Sequence, residues 1–243
     1  HEEGKARKLA TLNTFFGYFH KKEMIQKNAP SVVDVPRVKE KNIIRLDANE
    51  VAQLIDNIES GEKLTKQQKV WHERNKARDL AIVVTLLGTG VRVTELVGLD
   101  LSDLDFDNGA MRVIRKGGNE DIVYFGEETE EMLRNYLDER MKMTPAPGHE
   151  NALFISQNNT RITVRSVERL VKKYASTATV KKITPHKLRS TYGTALYQET
   201  GDIYLVADVL GHKNVNTTRK HYAAMKEENK RKAANIVQLR EKE

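Results

Sequence analysis

Thr184-Pro185-His186-Lys187-Leu188-Arg189 sets a histidine and an arginine three residues apart just behind a proline. Proline has no backbone N–H to lose and its φ is fixed near the helical value, so Pro185 reads as the first residue of a helix capped by Thr184. His186 and Arg189 then share the first turn and project on one face, beside free backbone N–H groups and the positive end of the helix dipole. That combination is a ready anion site, and its natural occupant is a phosphate. More polar groups of the same kind lie apart from it in sequence. Leu210-Gly211-His212 is followed by Tyr222, ten residues beyond the histidine; Gly90-Val91-Arg92-Val93-Thr94-Glu95-Leu96 puts an arginine behind a glycine; Lys116 opens the run Lys116-Gly117-Gly118-Asn119.

The elements that must position these groups can be read from periodicity and punctuation. Leu9, Leu12, Phe15, Phe16 and Phe19 fall at helical spacing within 5–27, and a polar segment with Pro30 and Pro36 follows from Asn28 to Arg45 as a linker. Asp47 with Glu50 three residues on is a capping box, and Val51, Leu54, Ile55 and Ile58 form the buried stripe of the helix it starts. A second domain therefore begins near residue 46. Leu80 to Leu87 reads as a buried helix stopped by Gly88 and Gly90, with Arg92 just past the stop. Asp107-Asn108-Gly109 makes a turn, Met111–Ile114 a short strand, and Lys116–Asn119 a hairpin turn into a strand over Ile122–Phe125. Helices are expected at about 127–143, 163–176, 185–200 and 202–210, the last ended by Gly211 as a C′ glycine.

Composition narrows the partners. With 243 residues and 39% apolar content the chain can build a real core. It has no cysteine, so neither a disulfide framework nor a thiolate metal site is available. No apolar run approaches the roughly 20 residues that span a bilayer, and no signal segment is visible, although a chain beginning with His1 implies that some N-terminal sequence precedes it. The net charge of +7 is uneven: +4 over residues 1–49, −7 over 50–157 and +10 over 158–243. The basic surplus sits with the histidines and Tyr222, the footprint of a polyanion partner, with nucleic acid ahead of acidic proteins.

In this order and at this spacing, Arg92, Lys116, His186, Arg189, His212 and Tyr222 resemble the catalytic domain of the tyrosine recombinases, the phage integrase family, of Xer-like or mobile-element type. The likeness runs from about Asp47 to Tyr222. Each motif alone is weak, since an arginine after a glycine or a Gly-His pair is common; their order is the strong signal. The resemblance implies a mainly α fold with a small antiparallel sheet (α+β). Residues 1–36 would be the last two helices of a helical core-binding domain, 37–45 a linker, 46–225 the catalytic domain and 226–243 a C-terminal helix, the two domains closing on DNA as a clamp. The implied function is site-specific recombination of DNA: strands cleaved and rejoined through a covalent 3′-phosphotyrosine link, with no cofactor or metal. Double-stranded DNA is the implied partner, bound by a homotetramer on two duplexes, in the bacterial cytoplasm at the nucleoid and not at a membrane.

The resemblance also implies roles. A phosphodiester attacked by an oxygen nucleophile gains negative charge in the transition state, and two guanidiniums holding its non-bridging oxygens can stand in for a metal ion. Arg92 and Arg189 would be that clamp and Tyr222 the nucleophile. Lys116 would protonate the departing 5′-oxygen, His186 would assist proton transfer at the tyrosine, and His212 would hydrogen-bond and position the phosphate. Each has a plainer reading: Arg92 as a helix cap, Lys116 as a solvated turn lysine, His186 as a polar helix terminus, His212 as a partner of C-terminal carbonyls. Glu95 reads as a structural carboxylate that orients its neighbours, because a free negative charge would repel the phosphate. Tyr192, Tyr197 and Tyr204 read as core.

One feature departs from the family. Many members have one residue fewer between the second histidine and the nucleophile, whereas Thr217-Thr218-Arg219-Lys220-His221-Tyr222 carries an extra position. His221 is a poor substitute nucleophile, since a phosphohistidine is not the same stable, reversible ester. Within 226–243, Ala233, Ile236, Val237 and Leu239 share one side of a charged helix that could dock on its own domain or on a neighbouring protomer. Two rival functions remain at this level: a type IB topoisomerase relaxing DNA without synapsis, and a non-catalytic DNA-binding protein.

Overall fold

The computed structural model describes residues 2–36 and 44–212, with Val215 and Thr218; Tyr222, most of the 37–45 linker and the 226–243 segment lie outside the described residues. The chain divides between Asn42 and Ile43 into two compact units.

The first unit has one α-helix, α1 (Glu2–Lys21), and a 3-10 turn over Ala29–Val32. The second core-binding helix expected here is therefore absent among the described residues, and α1 stops six residues before the expected Lys27. Glu23, in the left-handed region at φ 57°, marks the exit. Phe15 meets Phe16 and Phe19 edge-on at ring centroid distances of 5.6 and 4.9 Å, yet Leu12, Phe15 and Tyr18 remain exposed.

In the second unit, α2 (Ala48–Ser60) begins with the expected capping box: Asp47 accepts from the Glu50 N–H and Glu50 from the Asp47 N–H, both at 2.9 Å. Leu54 and Ile58 are buried and Val51 and Ile55 pack against the core. The next helix, α3 (Lys66–Thr89), is much longer than its apolar segment. Its first half is polar and gives no stripe to read, but a second capping box, Thr65 with Gln68, starts it. Its second half, Leu80 to Leu86, is the centre of the core. Gly88 does not stop it. A Cβ there would lie 2.4 Å from Oγ1 of the buried Thr129, so the glycine lets α3 pass close to α5 (Glu127–Arg140). The stop is Gly90, left-handed at φ 64°, from which the chain turns into α4 (Val93–Gly98).

A 3-10 turn over Leu101–Asp103 leads into a three-stranded antiparallel sheet of β1 (Leu104–Asp105), β2 (Ala110–Ile114) and β3 (Glu120–Tyr124), in that order. The hairpin pairs Ala110 with Tyr124 and Ile114 with Glu120. β1, two residues long, is too short to leave a period-two pattern. After α5 come α6 (Val164–Ala178), α7 (Pro185–Thr200) and α8 (Ile203–Val209). Helix α6 is strongly two-sided, burying Val167, Leu170, Val171, Tyr174 and Ala175. Asp79 of α3 ties to it: the buried carboxylate accepts from Arg78 at 2.7 Å, the Tyr174 hydroxyl at 3.0 Å and Lys173 at 3.3 Å. Burial pushes the Tyr174 hydroxyl well above its ordinary pKa. The fold is mainly α with one small antiparallel sheet, and no described helix is long and apolar enough to cross a membrane.

Candidate active site

Helix α8 is short and closed at both ends. Asp202 accepts from the N–H groups of Tyr204 and Leu205 at 2.7 and 3.1 Å. At the other end Gly211 is left-handed at φ 58°; its N–H donates to Asp208 O at 2.7 Å and the His212 N–H to Ala207 O at 2.9 Å. This Schellman closure puts Gly211 at C′, as expected, and leaves the last carbonyls of the helix pointing onward without intrahelical partners.

Three arginines take those carbonyls. Arg115 Nη2 donates to Val209 O at 3.2 Å, Arg189 to Leu210 O, and Arg92 Nη2 to Gly211 O at 3.1 Å. They arrive from three separate elements. Arg92 sits at the N-cap of α4, just past the Gly90 turn; Arg115 follows the last residue of β2; Arg189 lies in the first turns of α7 and also donates to Gly90 O. The junction is tight. A Cβ on Gly90 would come within 2.4 Å of Tyr192 and 2.9 Å of Leu210, and one on Gly211 within 2.9 Å of Arg115.

Glu95 organises the cations. Its carboxylate is buried and accepts from Arg92 Nη1 at 2.7 Å, from the Arg92 backbone N–H at 2.8 Å and from Arg115 Nη1 at 3.0 Å. Glu95 thus orients its neighbours, the part its sequence position suggested. Asp121 adds a second carboxylate, accepting from Arg115 Nε at 2.9 Å. Among the described residues three guanidiniums face two carboxylates here. Arg92 keeps 32% of its side chain exposed, against 11% for Arg115.

The six residues singled out from sequence fare differently. Arg92, Arg189 and His212 come together at the end of α8. Besides its backbone bond into α8, His212 holds its ring by Nδ1 against Thr218 Oγ1 at 2.7 Å. His186 stands at the second position of α7 and is exposed, whereas Arg189 is buried; the two do not share one open face, because Arg189 turns inward to the carbonyls of Gly90 and Leu210. Thr184 holds the N-cap position of α7, but its hydroxyl makes no capping bond; its carbonyl accepts from Lys187 and Leu188 at 2.8 and 3.1 Å. Lys116 is exposed at the start of the β2–β3 turn, where Gly117 and Gly118 adopt φ of 101° and 83°. Tyr222 lies outside the described residues. Of the three other tyrosines, Tyr197 is buried and Tyr192 half-buried, with its hydroxyl pKa raised by that burial, but Tyr204 is 70% exposed on the outer face of α8 and is not core. Arg115 escapes a reading by motif: one arginine beside a lysine among 41 basic residues carries no signal, and only its placement opposite Glu95 reveals it.

A model of the Phage integrase family matches residues 44–229. The tyrosine recombinase XerC of Corynebacterium glutamicum is 33% identical over 223 residues, covering 90% of this chain and 68% of the relative. The tyrosine recombinase XerS of Streptococcus agalactiae is 39% identical over 184 residues, or 74% of this chain and 51% of the relative. Among solved structures, the Tn1549 transposon integrase in complex with circular intermediate DNA superposes with a TM-score of 0.69 at 25% identity, over 91% of this chain and 75% of that one.

Proposed function

The chain belongs to the phage integrase family and is a tyrosine-type site-specific DNA recombinase, and from this premise we propose that it cleaves and rejoins duplex DNA through a 3′-phosphotyrosine link at Tyr222. The observation that carries the reading is the meeting of Arg92 and Arg189, from elements about a hundred residues apart, at the carbonyls that lead into His212. Guanidiniums fixed by backbone carbonyls and a buried carboxylate are preorganised, so they need no rearrangement when charge builds on a phosphate.

In the proposed reaction the scissile phosphate lies against Arg92, Arg189 and His212. Tyr222 Oη attacks phosphorus as its proton leaves with the help of His186. The bond from phosphorus to the 5′-oxygen breaks, and that oxygen takes a proton from Lys116, because a free alkoxide leaves poorly. Reversal with a different 5′-hydroxyl joins the new strands, and the ester conserves the energy of the broken bond. Lys116 on an exposed glycine-bearing turn suits a group that must reach the leaving oxygen only once DNA is bound. We further infer that the protein works as a tetramer on two duplexes, in the bacterial cytoplasm at the nucleoid, with residues 226–243 exchanged between protomers.

The decisive experiment uses attachment-site DNA carrying a nick that lets the cut fragment diffuse away. Wild-type protein is expected to accumulate a covalent adduct that maps to Tyr222, while Tyr222→Phe binds the same DNA and gives none. An undiminished adduct in Tyr222→Phe overturns the assignment. Relaxation of DNA by a protein that never forms a tetramer on it would point instead to topoisomerase chemistry.

A further inference from the structure

Among the described residues at this site, Arg115 is a guanidinium that neither the motifs nor the reaction above employs, and its side chain makes three polar contacts. Its Nη2 holds Val209 O, its Nη1 Glu95 and its Nε Asp121. These partners belong to three separate parts of the fold: the end of α8, the first turn of α4 and the second strand of the hairpin. Its backbone frames the turn that follows, since the Arg115 N–H donates to Asn119 O at 2.7 Å and the Arg115 carbonyl accepts from the Gly118 N–H at 3.0 Å. Lys116 is the next residue. Gly211 fits closely over the guanidinium, with no room for a Cβ.

We propose that Arg115 is a positioning residue: it latches the hairpin that carries Lys116 to the α8 terminus that carries His212, and so sets where Lys116 meets the leaving 5′-oxygen. The inference rests on the reading of Lys116 as general acid. A turn with two left-handed glycines has little stiffness of its own. Arg115 clamps the base of the hairpin on both sides, through its own backbone just past β2 and through Asp121 on β3, and fixes that base to the Glu95–Arg92 pair. The reach of Lys116 is thereby limited to its own side chain. Lysine replaces this function only in part, because one ammonium cannot span a carbonyl and two carboxylates in the fixed fork that a guanidinium offers.

Two measurements on Arg115→Gln and Arg115→Lys, each first checked for a cooperative unfolding transition, test the proposal. The first is hydrogen exchange at the Gly118 and His212 amides. Both variants are expected to exchange faster there while amides in the buried half of α3 stay protected; unchanged exchange at both sites overturns the latch. The second is cleavage of ordinary DNA and of DNA with sulfur at the scissile 5′-bridging position, whose thiolate departs without a proton. A misplaced acid loses about a hundredfold on ordinary DNA, as displacements of an ångström in reacting groups do. The sulfur substrate is expected to restore Arg115→Gln and Lys116→Ala alike and Arg189→Ala little, with Arg115→Lys intermediate on ordinary DNA. Rescue of Lys116→Ala without rescue of Arg115→Gln overturns the proposal. Failure to rescue Lys116→Ala instead removes the general-acid reading; the latch then stands or falls on the exchange data alone.

Discussion

Two glutamates in this protein do the same backbone job in opposite surroundings. Glu50 and Glu95 each stand at the third position of a helix, α2 and α4, and each accepts the N–H of its N-cap residue, Asp47 at 2.9 Å and Arg92 at 2.8 Å. Around Glu50 the remaining contacts are a single ammonium, Lys181 at 2.5 Å, and the Thr179 hydroxyl at 2.6 Å. Around Glu95 two guanidiniums press on one carboxylate whose side chain is 2% exposed, and a third arginine lies one carbonyl away. Balanced charge at a half-open helix start serves the fold. Surplus charge, held rigidly at the end of α8, costs desolvation and repulsion that the fold does not require, and such costs are met where an anion is to be bound.

Applying one substitution to both positions gives the largest expected contrast. Glu95→Gln removes the charge that two part-buried arginines share, at an expected cost of about 3 kcal/mol in denaturant unfolding, with a loss of cleavage alongside. Glu50→Gln is expected to cost under about 1 kcal/mol and to leave cleavage unchanged. Equal stability losses with cleavage intact in both would erase the distinction and return the arginine cluster to a structural role.

A smaller effect isolates the function of the surplus charge. Arg92→Lys keeps a cation beside Glu95 but loses the fork that can hold Glu95, Gly211 O and a phosphate oxygen together. Cleavage of the nicked substrate is expected to slow at least about a hundredfold, roughly 2.7 kcal/mol of transition-state stabilisation, while the unfolding midpoint moves little. Cleavage near the wild-type rate would make Arg92 a helix-terminus cap and nothing more.

The same two glutamates mark what sequence could disclose. Asp47 with Glu50 is legible as a capping box because aspartate is a favoured N-cap residue with a short acceptor side chain. Arg92 with Glu95 is not, since arginine donates and cannot cap; Glu95 could be read only as an orienting carboxylate, with its second partner hidden. Arg92, Arg189 and His212 are legible as a set through their order along the chain, and the structure brings these three together at the end of α8. Arg115 is not legible, because its part depends on which elements meet at the end of α8, and pairwise contacts between residues 20 and 94 positions apart leave no local pattern. The first half of α3 and the two-residue β1 leave no signal for a related reason: one has no apolar stripe and the other no length. Gly88 and Gly90 read alike in sequence as helix stops, and only the approach of Thr129 separates a packing glycine from a left-handed one.

The smallest expected effect tests the balanced side of the comparison by pH. Partial burial alone would raise the Glu50 carboxyl, but hydrogen bonds from Lys181, Thr179 and the Asp47 N–H, with the Lys181 charge, outweigh it and bring the pKa from 4.5 down to about 2. A carboxyl whose pKa is lower folded than unfolded stabilises the fold above its unfolded value, and that contribution drains away as pH falls through the folded one. Lys181→Met removes one cation and one hydrogen bond from Glu50. The variant is therefore expected to be less stable than wild type at pH 7, by roughly 0.5–1 kcal/mol given that the lysine is partly exposed and screened. The gap should narrow as pH falls below about 4.5 and be mostly gone near pH 2, where about half of Glu50 is protonated in folded wild type, closing fully only below that; denaturant unfolding of the pair at pH 7, 4 and 2 reads the trend directly. A gap that stayed constant across that range would assign the stabilisation to packing of the Lys181 stem or to its bond with Arg45 O at 3.1 Å, and not to the ion pair with Glu50.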